Sequence, residues 1–308
     1  MCADGDRTLR AALVRRIRRG ILAASAALSL LVLPACGSAA STDAAASDGL
    51  AVVASINQWG SMARDLGGSL VSVTSIMTNT NVEAHDYEPT TQDVARFSSA
   101  KVVVVNGADY DSWASKAASS TSADLVDAAT AGGKSSGDNP HVWFSSTVRS
   151  RTADAITTAY RKADPDHASR YSSLNAAWHK REDALDKLIA STRSTTKGKE
   201  YAATESVAWY LADDLGMTDA TPSGYAQAVA NEGEPSASDI TSFQKELAKG
   251  AIRMLIVNTQ EADSVTDTIT TSARTNDVPI VNLTEQMPSR YDDLIDWMTA
   301  LVRQFAKA

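Results

Sequence analysis

From residue 50 onward the chain alternates apolar runs of strand length with helix-like stretches, and one uninterrupted helical pattern divides that alternation in two. Strands that alternate with helices build βαβ units and a parallel sheet, because a parallel connection must cross over and a helix usually carries it. Strand-length runs fall at 50–56, 70–76 and 101–105, and again at 201–204, 252–257 and 278–283. Helical patterns fall at 92–99, 147–162, 207–214, 237–248, 262–275 and 291–307. Another follows the first strand, where Trp59, Met62, Ala63 and Leu66 recur every three or four residues. Between the two sets, Tyr171, Leu174, Trp178, Leu185, Leu188 and Ile189 recur near one face, after Asp164-Pro165 and before Gly198. At 1.5 Å per residue this helix is expected to be about 37 Å long. The pattern predicts an α/β fold: two βα lobes with parallel sheets, at 50–163 and 199–308, joined by one long linking helix at 164–198.

The first 35 residues read as a leader. Six arginines (Arg7, Arg10, Arg15, Arg16, Arg18, Arg19) precede an apolar run from Ile21 to Leu33, and small residues follow. A basic region, a short apolar core and small residues form a secretory signal. The run is too short for a comfortable membrane span, which needs about 20 residues. Leu33-Pro-Ala-Cys36 resembles the lipobox of bacterial lipoproteins, in which the cysteine is lipidated; Cys36 is the expected site. Residues 36–49, mostly Ser, Ala, Thr and Asp, read as a flexible tether. The protein is thus expected at the extracytoplasmic face of the cell membrane, held by its N-terminal lipid.

The leader also carries six of the chain's 29 basic residues. The full chain has a formal net charge of −8, and removing six arginines and two aspartates leaves −12. So acidic a chain lacks the basic face that nucleic acid requires. Its two cysteines, Cys2 and Cys36, exclude a disulfide framework and a multi-cysteine zinc site.

Four histidines remain as candidate ligands. His85 and His141 both lie in proline-marked loops, His85 just beyond a predicted strand, and ligands in open α/β sheets bind at the carboxyl ends of strands. Each is either a metal ligand or a hydrogen-bonded histidine, and the residues alone leave both open. His167 and His179 fall in the helical stretch between the lobes and read as solvated or packing residues.

A resemblance narrows these choices. His-Asp-Tyr-Glu-Pro-Thr at 85–90, an apolar strand ending in Asn106-Gly107, and Asn139-Pro-His-Val-Trp143 resemble the zinc/manganese solute-binding lipoproteins of ABC transporters. So do Glu205-Ser-Val-Ala-Trp-Tyr-Leu211, Glu234-Pro-Ser-Ala-Ser-Asp239 and Val278-Pro-Ile-Val-Asn-Leu-Thr-Glu285, and together they cover 50–308 in order. The resemblance implies a metal site in the cleft between lobes, with His85 and His141 from the first lobe and Glu205 and Glu285 from the second. It implies capture of a divalent metal by a monomer and delivery to the membrane permease of an ABC transporter.

The same resemblance bears on the ion. Two neutral imidazoles and two carboxylates offset a divalent charge, and bidentate carboxylates would raise coordination toward what Mn2+ prefers. Glu205 in place of a third histidine, and a 128–139 loop without histidine, lean toward Mn2+ or Fe2+ in the cell, whereas Zn2+ should bind more tightly in vitro. Two other classes stand as alternatives: a secreted metal-dependent hydrolase, and a surface adhesin with a structural metal site. The chain has no His-Glu-x-x-His helix, and its Gly-x-Ser-x-Gly stretch, Gly133-Lys-Ser-Ser-Gly137, follows no predicted strand and opens no predicted helix, so it is no nucleophile elbow and an enzyme is not expected.

Overall fold

The computed structural model describes residues 49–80 and 87–308. The leader, Cys36, the tether as far as Asp48, and His85 lie outside the described residues.

Two four-stranded sheets, all parallel, organise the fold. The first comprises β1 (Leu50–Ile56), β2 (Val71–Met77), β3 (Val102–Val105) and β4 (Asp124–Asp127), in the order β2-β1-β3-β4. The second comprises β5 (Glu200–Ala203), β6 (Thr218–Asp219), β7 (Ile252–Asn258) and β8 (Ile280–Leu283), in the order β6-β5-β7-β8. Central strands of such sheets are covered on both faces and read as continuous apolar runs. Accordingly Val102–Val105 is buried at every position, and β7 at all but Arg253.

The edges are different. Neither β4 nor β6 stands out in the sequence pattern, because Asp-Leu-Val-Asp and Thr-Asp are short and polar, as edge strands often are. The helix Ser223–Ala230 is also absent from that pattern; it buries only Tyr225 and so lacks an apolar stripe.

The linking helix, Ala168–Thr196, has 29 residues and is about 44 Å long. Tyr171, Trp178, Leu185 and Ile189 form its buried stripe, while Leu174 and Leu188 flank it half-buried. It packs against helices Asn57–Gly67, Ser146–Ala163 and Leu294–Phe305, which come from both sides of the fold. Arg181 ties three of these together, reaching Asp65 at 3.3 Å and Asp293 at 2.6 Å. The main apolar core is continuous across the lobes, from Val52 and Trp59 through Phe144 and Trp178 to Trp297 and Phe305. Phe144 and Trp297 meet within it at 5.6 Å between ring centroids. Among the described residues no helix is long and apolar enough to cross a membrane.

Candidate metal centre

Each sheet reverses its strand order at one point, between β1 and β3 in the first and between β5 and β7 in the second. Crossover helices leave such a point in opposite directions and open a crevice at the carboxyl ends of the strands. Glu205 lies two residues beyond β5, Asn258 ends β7, and Glu285 lies two residues beyond β8. Because β5, β7 and β8 are neighbours, these three side chains converge although about 80 residues separate the first from the last.

His141 enters from the first lobe, at the start of the short turn Val142–Phe144. Its approach is fixed by hydrogen bonds rather than by regular structure. Asn106, at the end of β3, donates from Nδ2 to the Pro140 carbonyl at 2.8 Å and accepts Trp59 Nε1 at 3.0 Å. Asn139 donates from Nδ2 to both the carbonyl and hydroxyl of Ser206, at 2.9 and 3.0 Å, which orients its amide. Its Oδ1 therefore accepts, from the His141 backbone N–H at 3.0 Å and from Nδ1 at 2.9 Å. With Nδ1 carrying the proton, Nε2 is the coordinating nitrogen, and it faces Glu205 Oε1 at 3.6 Å and Glu285 Oε2 at 3.7 Å.

The carboxylates are held from behind. Glu285 is fully buried; Tyr110 donates to its Oε2 at 2.7 Å and Asn258 Nδ2 to its Oε1 at 3.0 Å. Asn258 Nδ2 also donates to Glu205 Oε2 at 2.6 Å. A left-handed turn delivers Tyr110: Gly107 sits at φ +76°, and a Cβ there would lie 2.3 Å from Asp127 Oδ1, so the position requires glycine. Burial pushes the Glu285 carboxyl up, but the hydrogen bond and charge that the His141 ring supplies when protonated, with hydrogen bonding shared with Glu261 and donated by Tyr110, outweigh burial and hold it down at about 2. Glu285 is thus ionised, and ready to bind a cation, across the physiological range.

One ligand atom from each of His141, Glu205 and Glu285 lies within 4.8 Å of the others. Two ligands of a tetrahedral ion with bonds of about 2.1 Å are about 3.4 Å apart, and the cis ligands of an octahedral ion with such bonds about 3.0 Å. The 3.6 and 3.7 Å spacings exceed both figures, so a small inward shift would gather these donors on one ion. The cluster opens onto a cleft of about 900 Å³ whose lining includes Asp109, Asp138, Glu232, Glu234 and Glu261. Among the described residues that line it there is no lysine or arginine, so the cleft presents a field that favours cations.

Of the four residues that the family pattern marks as ligands, the structure brings three together, and the fourth, His85, is outside the described residues. His167 pairs with Asp164 and His179 with Asp154, both on the linking-helix side of the fold. Asn258 and Tyr110 were not singled out by sequence. The signal for Asn258 was its place at the carboxyl end of an apolar strand; for Tyr110 there was none.

Two parallel lobes joined by a long helix, with an imidazole and two carboxylates converging at a switch-point cleft, define a two-lobe metal-binding protein. The family model described as zinc-uptake complex component A, periplasmic (ZnuA), matches residues 52–308, and the chain belongs to that family. The high-affinity zinc uptake system protein ZnuA of Bacillus subtilis (strain 168) is 23% identical over 215 residues, covering 63% of this chain and 66% of its own length. The iron-binding protein YfeA of Yersinia pestis is 29% identical over 167 residues, 51% of this chain and 53% of its own. The chain thus spans between half and two thirds of the length of these relatives. Among solved structures, the periplasmic zinc binding protein TroA from Treponema pallidum superposes with a TM-score of 0.71 at 16% identity, over 83% of this chain and 98% of its own. At that identity the likeness is one of fold.

Proposed function

We propose that this protein is the extracytoplasmic solute-binding component of an ABC uptake system, and that it captures a divalent transition metal, zinc foremost. His141, Glu205 and Glu285 ligate the ion, with His85 completing the set, and the loaded protein docks on a membrane permease that receives it. Residues 1–35 serve as the leader, and Cys36 carries the lipid that keeps the protein at the membrane surface. The observation that carries this reading is the meeting of one imidazole nitrogen and two carboxylate oxygens at 3.6 and 3.7 Å in an acidic cleft. Membership of a family of transport components favours capture over turnover. Zinc is favoured by the relatives named for it; manganese and iron are the competing cargoes. The continuous core and the Arg181 clasp favour small local opening rather than wide separation of the lobes.

The test is a titration of chelator-stripped protein with zinc and with manganese, read by thermal unfolding. At a hundredfold excess over Kd a bound ion adds about 2.7 kcal/mol of stability. For a chain of this size that is a rise of about 5–10 °C. No rise with either ion would sink the proposal.

A further inference from the structure

Two carboxylates offer four oxygens, and the structure divides them into two pairs. Glu205 Oε1 and Glu285 Oε2 face His141 Nε2 at 3.6 and 3.7 Å. The other oxygen of each, Glu205 Oε2 and Glu285 Oε1, accepts from one nitrogen, Asn258 Nδ2, at 2.6 and 3.0 Å. An amide NH2 carries two hydrogens, so this one group spends both on the two carboxylates. Its orientation is set independently, since Asn258 Oδ1 accepts the Gln260 backbone N–H at 3.0 Å. The backbone is fixed as well: the Asn258 N–H donates to Thr204 Oγ1 at 3.1 Å, and the residue is 2% exposed. Asn258 is therefore a rigid two-pronged clamp across the back of the site.

Resting on the reading of this cluster as a transition-metal site, we infer that Asn258 is a specificity-determining residue. It holds Glu205 and Glu285 to one ligating oxygen each and thereby favours zinc over manganese. Turning either carboxylate so that both of its oxygens face the ion would rotate the clamped oxygen out of line with its buried amide hydrogen, and buried donors left unmade are costly. Coordination then stops at one oxygen per carboxylate plus imidazole nitrogen. Zinc is satisfied by four such ligands in a tetrahedron. Manganese prefers an oxygen-rich octahedral shell, which the clamp denies it. This runs against the sequence-based lean toward manganese, which rested on Glu205 in place of a third histidine and on a 128–139 loop without histidine, with carboxylates able to bind through two oxygens. The carboxylate identities that motivated that lean are unchanged; what differs is the amide behind them.

The experiment compares the full chain with its Asn258→Ala variant, both metal-free, in competition titrations of zinc and of manganese against a chelator. In the variant the ratio of manganese to zinc dissociation constants should fall by about tenfold or more, the scale on which loss of an outer-shell partner acts. An unchanged ratio, whether both affinities fall together or neither moves, overturns the role of Asn258 alone, because general damage to the site weakens both ions alike. Failure of the unmodified chain to bind either ion overturns the metal-site reading and this inference with it. A second measurement needs no variant: cobalt(II) bound to the unmodified chain should show the intense visible absorption of a four-coordinate ion. The weak spectrum of a six-coordinate ion overturns the inference.

Discussion

Asn57 and Met287 exchange two hydrogen bonds across the boundary between the lobes: Asn57 Nδ2 donates to the Met287 carbonyl at 2.7 Å, and the Met287 N–H donates to Asn57 Oδ1 at 3.1 Å. A side-chain amide here does what a neighbouring strand would do, satisfying both backbone groups of one residue. Gln58, the next residue, donates from Nε2 to the Glu285 carbonyl at 2.7 Å. The carboxyl end of β1 in the first lobe thus holds the segment of the second lobe that bears Glu285.

Truncating this pair should therefore be felt twice. Asn57→Ala leaves a buried carbonyl and a buried N–H without partners, at about 1–3 kcal/mol each. The urea midpoint of the metal-free protein should drop accordingly, and zinc affinity should drop with it because Glu285 loses its support. A variant that melts earlier but binds zinc as tightly as the parent would show that the suture stabilises the fold without positioning the ligand.

Glu285 gives the protein an acid signature. Its folded value of about 2 lies below the ordinary 4.5, a depressed carboxylate. The stability it contributes is complete above about 4.5 and is lost as pH falls from there to about 2. The shift corresponds to a few kcal/mol. Glu285→Gln should flatten the acid limb of the stability curve over that window. Superimposable acid limbs would show that the carboxylate is not held down in the folded state.

How much of this was legible in the sequence follows from what each feature depends on. Val102–Val105 and Ile252–Asn258 announce themselves because burial on both faces leaves the first no polar position and the second only Arg253 and the terminal Asn258. Asp124–Asp127 and Thr218–Asp219 do not, since their strand character comes from a neighbour already in place. The site divides in the same way. His141 could be nominated from its loop, but Glu205 and Glu285 look like helix-start charges and were marked only by family pattern. Asn258 was out of reach, because its role exists only once β5, β7 and β8 lie side by side and bring 205, 258 and 285 together. Non-local pairing is what a one-dimensional pattern does not carry.

The Arg181 clasp makes a prediction of opposite sign. Burial first, and then the nearby Asp293 carboxylate, push Asp65 up to about 6, against the pull of Arg181 and Arg64. A raised value means the folded state favours the protonated form. That contribution is complete below about 3.8 and is lost as pH rises through about 6. Asp65→Asn, which keeps the shape without the charge, should gain on the parent between about pH 4 and 6 and hold a constant lead above that range. Thermal midpoints across that range, expected to diverge by a few degrees, decide it. Parallel curves would mean that Arg181 fully neutralises Asp65.

Asn139 offers the sharpest separation of two jobs, because its two ends serve different lobes. Oδ1 orients His141 through Nδ1, and Nδ2 reaches over to the Ser206 carbonyl and hydroxyl beside Glu205. Asn139→Ala removes both, and loss of the outer-shell partner of a ligating histidine should cost about 10–100-fold in zinc affinity. Asn139→Asp keeps an acceptor for Nδ1 but sets a carboxylate against the Ser206 carbonyl, an acceptor facing an acceptor. If orientation of His141 dominates, the aspartate variant should keep zinc affinity close to that of the parent while losing some stability in the metal-free state. Should the aspartate variant lose as much affinity as the alanine variant, the bond to Ser206 across the cleft, and not the histidine tautomer, is what assembles the site. Chelator competition and metal-free unfolding, run on both variants, separate the two.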